Sequence, residues 1–443
     1  MRNKTRLTSL RIILISVLFF SGCTNKVAEQ KLASGKALTI IEVTDLHFLD
    51  HSLYDDGIAY QKYTANGDGR MWPYNNELID AFVDKMIQIK PDILIISGDL
   101  TNNGEKVSHE KLAEKLKKIE TEAGTRILIV PGNHDLLNAW ARSFVGDKQN
   151  KISSVTPVQF KKIYDDFGYG EAILKDSASL SYLAAPTEDI WFLMLDTNKY
   201  SSENTLWPPY SNGAIRPETL EWIKVCVKLA HDHGARIVTV MHHNLLSHNE
   251  LFTGYVIDNQ PDVVPLFETL GLDLVLSGHI HIQDIRSHTD GTQSVVDIAT
   301  SSLLMYPYQY GVLTYHHESG FDYQTDRLDM AAWAKQNQST DPKLLDFDDF
   351  ASTYFKQASY RKAYTRLFDS KLYSDQELDE MAQTMSELNL YYFGGHADVI
   401  SDQIRTTLGY RLWRNAAEPE FMVNYVYLMA NPSLVDRNKI HIN

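Results

Sequence analysis

The stretch PDILIISGDLTNNGE, residues 91–105, places a carboxylate where an apolar segment gives way to a glycine-containing loop. The run from Ile93 to Ile96 is continuously apolar, which predicts a strand buried on both faces of a parallel sheet. Open α/β sheets bind ligands outside the carboxyl ends of their strands. Asp99, at the end of this strand, is therefore predicted to be a ligand or a catalytic residue rather than a core aspartate.

Four other segments repeat this arrangement of an apolar run that ends in Asp, His or Asn. They are residues 39–48, 125–135, 236–244 and 272–281. The polar side chains at the five strand ends are Asp45, His47, Asp99, Asn133, His134, Asp135, His242, His243, His279 and His281. One histidine at a strand end is usually a polar core residue, but five strands that all end in this way by chance are improbable. We interpret them as parts of one functional site.

In chain order these residues read Asp-x-His at 45–47, Gly-Asp at 98–99, Gly-Asn-His-Asp at 132–135, His242, and Gly-His-x-His at 278–281. The set resembles the calcineurin-like metallophosphoesterase superfamily over about residues 38–316, although any one piece alone would be non-specific. The resemblance implies an α/β fold of four layers, in which two mixed β-sheets are sandwiched by helices. It also implies a metal-dependent phosphoric diester hydrolase.

The resemblance further implies two divalent metal ions. One ion would be bound by Asp45, His47, Asp99 and His281, and the other by Asp99, Asn133, His242 and His279, so that Asp99 bridges them. Carboxylate, amide and imidazole ligands without a thiolate suit Mn²⁺, Fe²⁺ or Zn²⁺. By the same resemblance a metal-bridging hydroxide attacks phosphorus, and His134 stabilises the reacting oxygens or protonates the leaving alkoxide. Asp135 would orient a neighbouring histidine.

Strand geometry leaves open which histidine of the fourth segment is the ligand. Successive side chains of a strand point to opposite faces, so only one of His242 and His243 can face the metals. The first histidine after the apolar run is the family's ligand, which implies His242. Many members have a proline after the pair, whereas this chain has Asn244, and this change could turn His243 toward the metals instead.

Charge favours a small anionic diester as the substrate. Two divalent ions, less the charges of Asp45, Asp99 and one hydroxide, leave +1 to meet a monoanionic diester. The chain has a formal charge of −15, which becomes −19 without the four basic residues of 1–22. Such an acidic body argues against a nucleic-acid polymer as the ligand, because binding one requires a basic surface.

The first 22 residues have the pattern of an export signal. Basic residues precede a short, mainly apolar stretch at 12–20, which is too short to cross a membrane of about 30 Å as a helix. Ser21-Gly22-Cys23 resembles a bacterial lipobox, with Phe20 in place of the usual leucine. The resemblance implies a lipidated Cys23, a tether at 23–37 and an extracytoplasmic protein anchored in the cell membrane. An uncleaved anchor would place the protein on the same side.

The chain is predicted to contain two folded domains, a metallophosphoesterase domain at 38–325 and an α-helical C-terminal domain at 326–443. A similar helical extension is found in some bacterial class III cyclic-nucleotide phosphodiesterases, which implies a 3′,5′-cyclic nucleotide as substrate. The alternatives are a phosphomonoester, a 2′,3′-cyclic nucleotide, a glycerophosphodiester or a nucleotide sugar. A further alternative is a catalytically idle surface lipoprotein whose metals are structural. The oligomeric state stays open.

Two long connections interrupt the pattern of strands and helices. Residues 49–76 are polar and are predicted to be a binding loop or lid. The aromatic residues of the second connection, 135–181, are predicted to pack in the core and at its rim, with a base-stacking platform as the alternative. They are Trp140, Phe144, Tyr164, Phe167 and Tyr169. Asp196 and Cys226 are interpreted as structural, and His316 and His317 as surface residues.

Overall fold

A computed structural model describes residues 31–65, 67–200, 209–416, 419–433 and 435–443. The signal peptide predicted at 1–22, the lipidated Cys23 and most of the predicted tether lie outside these residues. Among the helices of the described ranges, none combines the length and the apolar character needed to cross a membrane.

The strands, in chain order, are β1 (Leu38–Val43), β2 (Ile93–Ser97), β3 (Arg126–Val130), β4 (Arg142–Val145), β5 (Lys148–Lys151), β6 (Leu174–Lys175), β7 (Tyr182–Ala184), β8 (Ile190–Leu195), β9 (Arg236–Met241), β10 (Leu274–Ser277), β11 (Asp284–Thr289), β12 (Ser294–Ala299), β13 (Gln309–His316), β14 (Gly320–Arg327) and β15 (Lys439–Ile442). The helices are α1 (Ile58–Ala65), α2 (Asn75–Ile89), α3 (Lys106–Ala123), α4 (Pro157–Ile163), α5 (Pro217–Asp232), α6 (Gln260–Leu270), α7 (Met330–Gln336), α8 (Pro342–Leu345), α9 (Phe347–Ser370), α10 (Asp375–Tyr392), α11 (Ala397–Arg405), α12 (Leu408–Asn415) and α13 (Glu420–Ala430).

Most of the strands form two mixed sheets. The six-stranded sheet has the order β15-β14-β13-β1-β2-β3, and the seven-stranded sheet has the order β11-β12-β10-β9-β8-β7-β6. In the first sheet β1, β2 and β3 run parallel, and in the second β8, β9, β10 and β12 do. The parallel strands are mainly apolar because both faces of each sheet are covered.

The two sheets stack on each other and are enclosed by helices. Ile95 of the six-stranded sheet and Val240 of the seven-stranded sheet belong to one buried cluster, which also contains Leu78 of α2 and Leu112 of α3. On the outer face of the second sheet a separate buried cluster joins the sheet to α5 and α6. The predicted four-layer α/β architecture is confirmed.

The helices from α7 to α13 form the C-terminal region. The core of α9–α13 includes Met381, Trp413 and Val426 together with Ile280 and Ile282. The last two residues lie in the loop after β10, beside the histidines of the Gly-His-x-His motif. Packing against this loop therefore places the helical region next to the predicted site.

The predicted α-helical C-terminal domain at 326–443 is helical over most of its length but contains strand residues at both ends. Strand β14 continues to Arg327, and residues 439–442 form β15, which pairs antiparallel with β14 from Phe321↔Ile442 to Gln324↔Lys439. Without β15 the backbone groups along that edge of β14 would lack strand partners, and the end of the chain satisfies them. The chain thus returns from the helical region to the first sheet.

The connection at 49–76 is more ordered than a loop or lid, because it contains α1 and two short 3₁₀ helices, His51–Leu53 and Trp72–Tyr74. In the second connection four of the five aromatic residues are buried, and Trp140 is 46% exposed. The predicted core packing therefore fits better than the stacking platform.

The residues interpreted as structural occupy structural positions. The carboxylate of Asp196 accepts hydrogen bonds from the backbone amides of Leu180 and Asn198. Cys226 is a free, buried thiol on α5. His316 is half-buried and His317 is exposed, and both lie near carboxylates of neighbouring segments.

Candidate metal centre

The carboxyl ends of five parallel strands meet where the two sheets face each other. Backbone hydrogen bonds join the segments that follow the strands. The amide of Asp45 donates to the carbonyl of Gly98 at 3.1 Å, and that of His47 donates to the carbonyl of Asp99 at 2.9 Å. The amide of Gly278 donates to the carbonyl of His242, also at 3.1 Å. These bonds bring residues that are far apart in the sequence into one site.

Asp45, His47 and His281 form the first cluster of possible metal ligands. Asp45 Oδ1 lies 3.1 Å from His281 Nε2 and 3.6 Å from His47 Nε2. The two Nε2 atoms are 3.0 Å apart. Three donor atoms of three buried or nearly buried side chains therefore converge on one small volume.

Asp99 joins this cluster to a second one that contains His242 and His279. Asp99 Oδ2 lies 3.8 Å from His47 Nε2 and 3.4 Å from His242 Nε2. Asn133 Oδ1 lies 3.1 Å from His242 Nε2. Burial opposes ionisation of Asp99, but its histidine neighbours, His242 foremost, hold its pKa well below the ordinary value. One ionised oxygen thus lies between both clusters.

The donor set fits divalent cations. Asp45 Oδ1, the carboxylate oxygen nearest to His47 Nε2 and His281 Nε2, is buried and has no hydrogen-bond partner among the described residues. Asp45 Oδ2, in contrast, accepts hydrogen bonds from Thr44 Oγ1 at 2.9 Å and from the amide of His279 at 2.8 Å. Burial lowers the pKa of His47 far below its ordinary value and that of His279 to about 3. Neutral imidazoles and ionised carboxylates are the forms that bind a cation.

Hydrogen bonds to carbonyl groups fix the imidazoles of the second cluster. His242 Nδ1 donates to the carbonyl of Ser97 at 2.9 Å, which leaves Nε2 directed at Asp99. His279 Nε2 donates to the carbonyl of Ser211 at 2.6 Å, which leaves Nδ1 available. Such contacts set the tautomer and the orientation of a metal-binding histidine.

His243 lies outside both clusters in this structure. Its Nδ1 is 2.7 Å from Thr197 Oγ1, and its Nε2 has no hydrogen-bond partner in the described part of the chain. Its ring packs on the far side of the site at 4.5 Å from the ring of His279. Of the two alternatives that strand geometry left open, the structure places His242 beside Asp99.

His134 is oriented by residues that sequence reasoning did not assign. Its Nδ1 donates to the carbonyl of Asn102 at 2.7 Å and lies 3.1 Å from Asn103 Oδ1, which leaves Nε2 at 4.0 Å from Asp99 Oδ2. Burial lowers the pKa of His134. The available signal was the pair of asparagines separated by two residues from Gly98-Asp99, since both lie in the stretch at 91–105.

Asp135 contacts the backbone rather than a site histidine. Its carboxylate accepts hydrogen bonds from the amides of Leu100 at 3.1 Å, Thr101 at 3.0 Å and Gly132 at 2.8 Å. Burial raises its pKa to about 7. Asp135 therefore holds together the loops after β2 and β3, which carry two of the predicted ligands.

Strained backbone accompanies the site. Asp45, His47, Asp99, His279 and His281 all have positive φ angles, between 40° and 68°. This region costs a residue with a side chain about 1–2 kcal/mol. Such strain persists only where the surrounding structure holds it and is typical of functional sites.

Two motif glycines permit this close packing. A Cβ atom on Gly132 would lie 2.2 Å from the amide nitrogen of Asp99, and one on Gly278 would lie 2.0 Å from Thr44 Oγ1. No side chain fits at either position without displacing the segment that carries a predicted ligand.

A cavity of about 360 Å³ opens above the clusters. Its floor includes Asp99, Asn133 and His134, and three other parts of the chain supply most of its walls. These are the connection at 49–76, the segment between β9 and α6, and the helical region. The volume lies in the range of about 300–1,000 Å³ that is usual for small-molecule sites.

Arg70 is the residue of the connection at 49–76 that sequence reasoning missed. It lines the cavity together with Asp68 and His134. Its side chain is 17% exposed, and its guanidinium lies 3.5 Å from Asp68 Oδ2. The Nε atom is buried and has no hydrogen-bond partner among the described residues. An arginine inside an acidic polar connection gives little local signal, because its neighbourhood depends on the fold.

Comparison with known families agrees with this geometry. The sequence profile described as calcineurin-like phosphoesterase matches residues 38–283, more than half of the chain. The chain belongs to the calcineurin-like phosphoesterase family. A second profile, described as the C-terminal domain of cyclic nucleotide phosphodiesterase, matches residues 329–434. Together with the clusters, membership of this family indicates a dinuclear site for divalent metals.

Two curated relatives of this phosphoesterase bear the name "Probable cyclic nucleotide phosphodiesterase". The one from Vesicomyosocius okutanii subsp. Calyptogena okutanii (strain HA) is 27% identical over 107 residues, which cover 24% of this chain and 37% of the relative. The one from Ruthia magnifica subsp. Calyptogena magnifica is 39% identical over 56 residues, 13% of this chain and 22% of the relative. The chain thus aligns with little more than a third of the relatives' length at most.

Two of the solved structures with some similarity have titles that name a phosphatase. A dimetal phosphatase from Danio rerio covers 65% of this chain and 95% of its own, with 13% identity and a TM-score of 0.46. A purple acid phosphatase from yellow lupin (Lupinus luteus) seeds covers 66% of this chain and 52% of its own, with 12% identity and a TM-score of 0.43.

Proposed function

We propose that this phosphoesterase hydrolyses a small phosphodiester, a 3′,5′-cyclic nucleotide, at a dinuclear centre of Mn²⁺, Fe²⁺ or Zn²⁺. The observation that carries the proposal is the position of Asp99 Oδ2 between two ligand clusters on the floor of a cavity of small-molecule size. The choice of a cyclic nucleotide is supported by the description of the profile matched at 329–434 and by the names of the two relatives.

The ligands we assign to the first ion are Asp45, His47, Asp99 and His281, and those of the second are Asp99, Asn133, His242 and His279. When bound, two such ions supply an activated water and neutralise charge on the phosphoryl group. The protein's own part is to hold these side chains in place before the substrate arrives. The carbonyl groups of Ser97 and Ser211 do so for the imidazoles of His242 and His279.

His134 and Arg70 are the two further groups that face the reacting diester. His134 Nε2 lies 4.0 Å from Asp99 Oδ2, close enough to the bridge to stabilise the phosphoryl oxygens or to protonate the leaving oxygen. Arg70 brings a cation to the same cavity and has an unpaired Nε–H among the described residues. A guanidinium is suited to bind a phosphate oxygen.

The test is a substrate panel with purified protein and added Mn²⁺. It compares 3′,5′-cyclic and 2′,3′-cyclic nucleotides, a glycerophosphodiester, a nucleotide sugar and a phosphomonoester. We expect the highest kcat/KM for a 3′,5′-cyclic nucleotide and no turnover after chelation. A clear preference for another member of the panel would refute the substrate, and turnover of none would leave the idle lipoprotein as the better description.

We also propose that Cys23 is lipidated and that the protein is anchored on the outer side of the cell membrane. The support is the order of basic, apolar and small residues before Cys23. In a bacterial host, labelled palmitate should enter the wild-type protein and not the Cys23→Ala variant. Equal labelling of both proteins would exclude this cysteine.

We retain the division into a catalytic domain at 38–325 and a C-terminal domain at 326–443 as a proposal, except that residues 326–327 and 439–442 belong to strands of the first sheet. The two profile matches support it, at 38–283 and 329–434. Because β15 pairs with β14, we expect removal of residues 326–443 to lower the thermal stability of the catalytic domain. An unchanged melting temperature would show that β15 contributes little.

A further inference from the structure

An aromatic wall borders the cavity on the side of the helical region. It consists of Phe252 and Tyr255, from the segment between β9 and α6, and of Phe421 and Tyr425, from α13. The ring centroids of Phe252 and Phe421 are 5.8 Å apart, and those of Phe252 and Tyr425 are 5.5 Å apart. Two segments separated by well over 150 residues thus build one continuous surface.

The wall begins at the candidate metal centre. The ring of Tyr255 lies 5.0 Å from the imidazole of His279, and the ring of Phe252 lies 5.7 Å from that of Tyr255. A molecule whose phosphate reaches His279 would therefore meet aromatic rings within the length of one nucleotide. Arg70 and Lys362 also line the cavity, so it offers both cationic and aromatic surface.

The aromatic wall is anchored to the helical region on one side and is accessible to solvent on the other. The hydroxyl of Tyr425 donates to Asn389 Oδ1 at 2.8 Å, which anchors this ring to α10. Phe421 nevertheless remains 47% exposed, whereas its neighbour Met422 is buried in the helical core. A rigid aromatic surface with a solvent-accessible ring is suited to bind a flat ligand, because little conformational entropy is lost on binding.

We infer that this wall binds the nucleobase of the substrate, and that α13 thereby makes the helical region part of the specificity site. The inference rests on the proposed function and narrows it to diesters that carry an aromatic base. Stacking on aromatic side chains is favourable for every base, because every base has a π-face. The wall would therefore favour nucleotides over glycerophosphodiesters and discriminate weakly between adenine and guanine.

The experiment compares two substrates with the same reacting group, 3′,5′-cyclic AMP and the abasic ribose 3′,5′-cyclic phosphate. The variants are Phe252→Ala and Phe421→Ala. Tyr427→Ala is the matched control, because Tyr427 lies on the same helix α13, is 57% exposed and does not line the cavity. We expect each Phe variant to lower kcat/KM for 3′,5′-cyclic AMP by about tenfold, the scale of one stacking contact. Turnover of the abasic compound should not change.

Equal losses on both substrates would indicate damage to the fold or the metal centre and would overturn the inference. Equal hydrolysis of both substrates by the wild-type protein would also overturn the inference. The proposed diesterase activity would still stand in that case. Calorimetric binding of 5′-AMP and ribose 5-phosphate provides a readout that does not need turnover. The wall predicts tighter binding of 5′-AMP and loss of this preference in Phe421→Ala. Without such a preference in the wild type, the base does not bind here.

Discussion

His242 Nε2 lies 3.4 Å from Asp99 Oδ2, although the two residues follow strands of different sheets. Asp99 follows β2 of the six-stranded sheet, and His242 follows β9 of the seven-stranded sheet. The contact exists because the two sheets stack with the carboxyl ends of their parallel strands at the same edge. The candidate metal centre is therefore a product of sheet packing as much as of sequence motifs.

Asp99→Asn should remove the charge that lies between both clusters. We expect loss of at least one metal ion and of nearly all activity, while circular dichroism shows a folded protein, because the large core is untouched. Elemental analysis after dialysis measures the metal content. Asp147→Asn, at an exposed turn between β4 and β5, is the control. Two ions retained with near-normal turnover would contradict the bridging assignment.

His134→Ala should keep both metal ions and slow turnover by roughly 10²- to 10⁴-fold, the usual contribution of a general acid or base. The loss should be smaller for a p-nitrophenyl ester, since p-nitrophenolate leaves without a proton. The measurement is kcat for diesters with good and poor leaving groups. Equal losses on both would exclude proton donation and leave stabilisation of charge as the role of His134.

The alanine variants of His242 and His243 should differ. His242→Ala should empty one metal site, because His242 Nε2 faces Asp99 and Asn133. His243→Ala should keep two ions and mainly affect KM, because its Nδ1 is engaged with Thr197. Metal content distinguishes the two variants. A drop from two ions to one in His243→Ala alone would show that this residue is the ligand.

Arg70→Ala should lower kcat/KM for a diester by roughly tenfold to a hundredfold, the scale of one charge-assisted hydrogen bond. Metal content should not change, and Arg70→Lys should recover part of the loss because it restores the charge without the planar fork. Lys62→Ala, at an exposed site on the preceding helix α1, is the control. An equal effect of the control would point to a general charge effect instead.

Glu42→Gln should make the stability of the metal-free protein less sensitive to pH. Burial raises the pKa of Glu42 to about 8 from its ordinary value of 4.5. Hydrogen bonds from Ser97 and Thr300 lower the pKa, but their effect is smaller than that of burial. The folded protein then holds a proton that the unfolded chain has released, so the free energy of unfolding falls as pH rises from about 4.5 to 8.

The Glu42→Gln variant lacks this slope, and its stability relative to wild type should increase across that window, by at most about 1.4 kcal/mol per pH unit. Urea unfolding at several pH values measures the difference. Glu114→Gln, on the exposed face of α3, removes one carboxyl group from the surface and is the control. A constant difference between Glu42→Gln and wild type would mean that Glu42 is not protonated in the folded protein.

Much of this architecture could be predicted from the sequence alone. Apolar runs that end in Asp, His or Asn predicted the parallel strands, because burial on both faces requires continuous apolar residues. Pro217 at the first position of α5 and the capping box of Ser374 and Glu377 at the start of α10 are local signals of where these helices begin. These features depend on contacts between residues that are close in the sequence, so their signals are local.

The order of the strand-end residues also indicated the family and implied a set of metal ligands. The structure brings these ligands together at one edge of the sheets. The tertiary structure decided what depends on distant packing. It placed His242 rather than His243 beside Asp99, and it turned Arg70 into the cavity. It also brought Phe252 and Phe421 together and paired β15 with β14. None of these has a local signal, because each depends on contacts between residues that are far apart in the sequence.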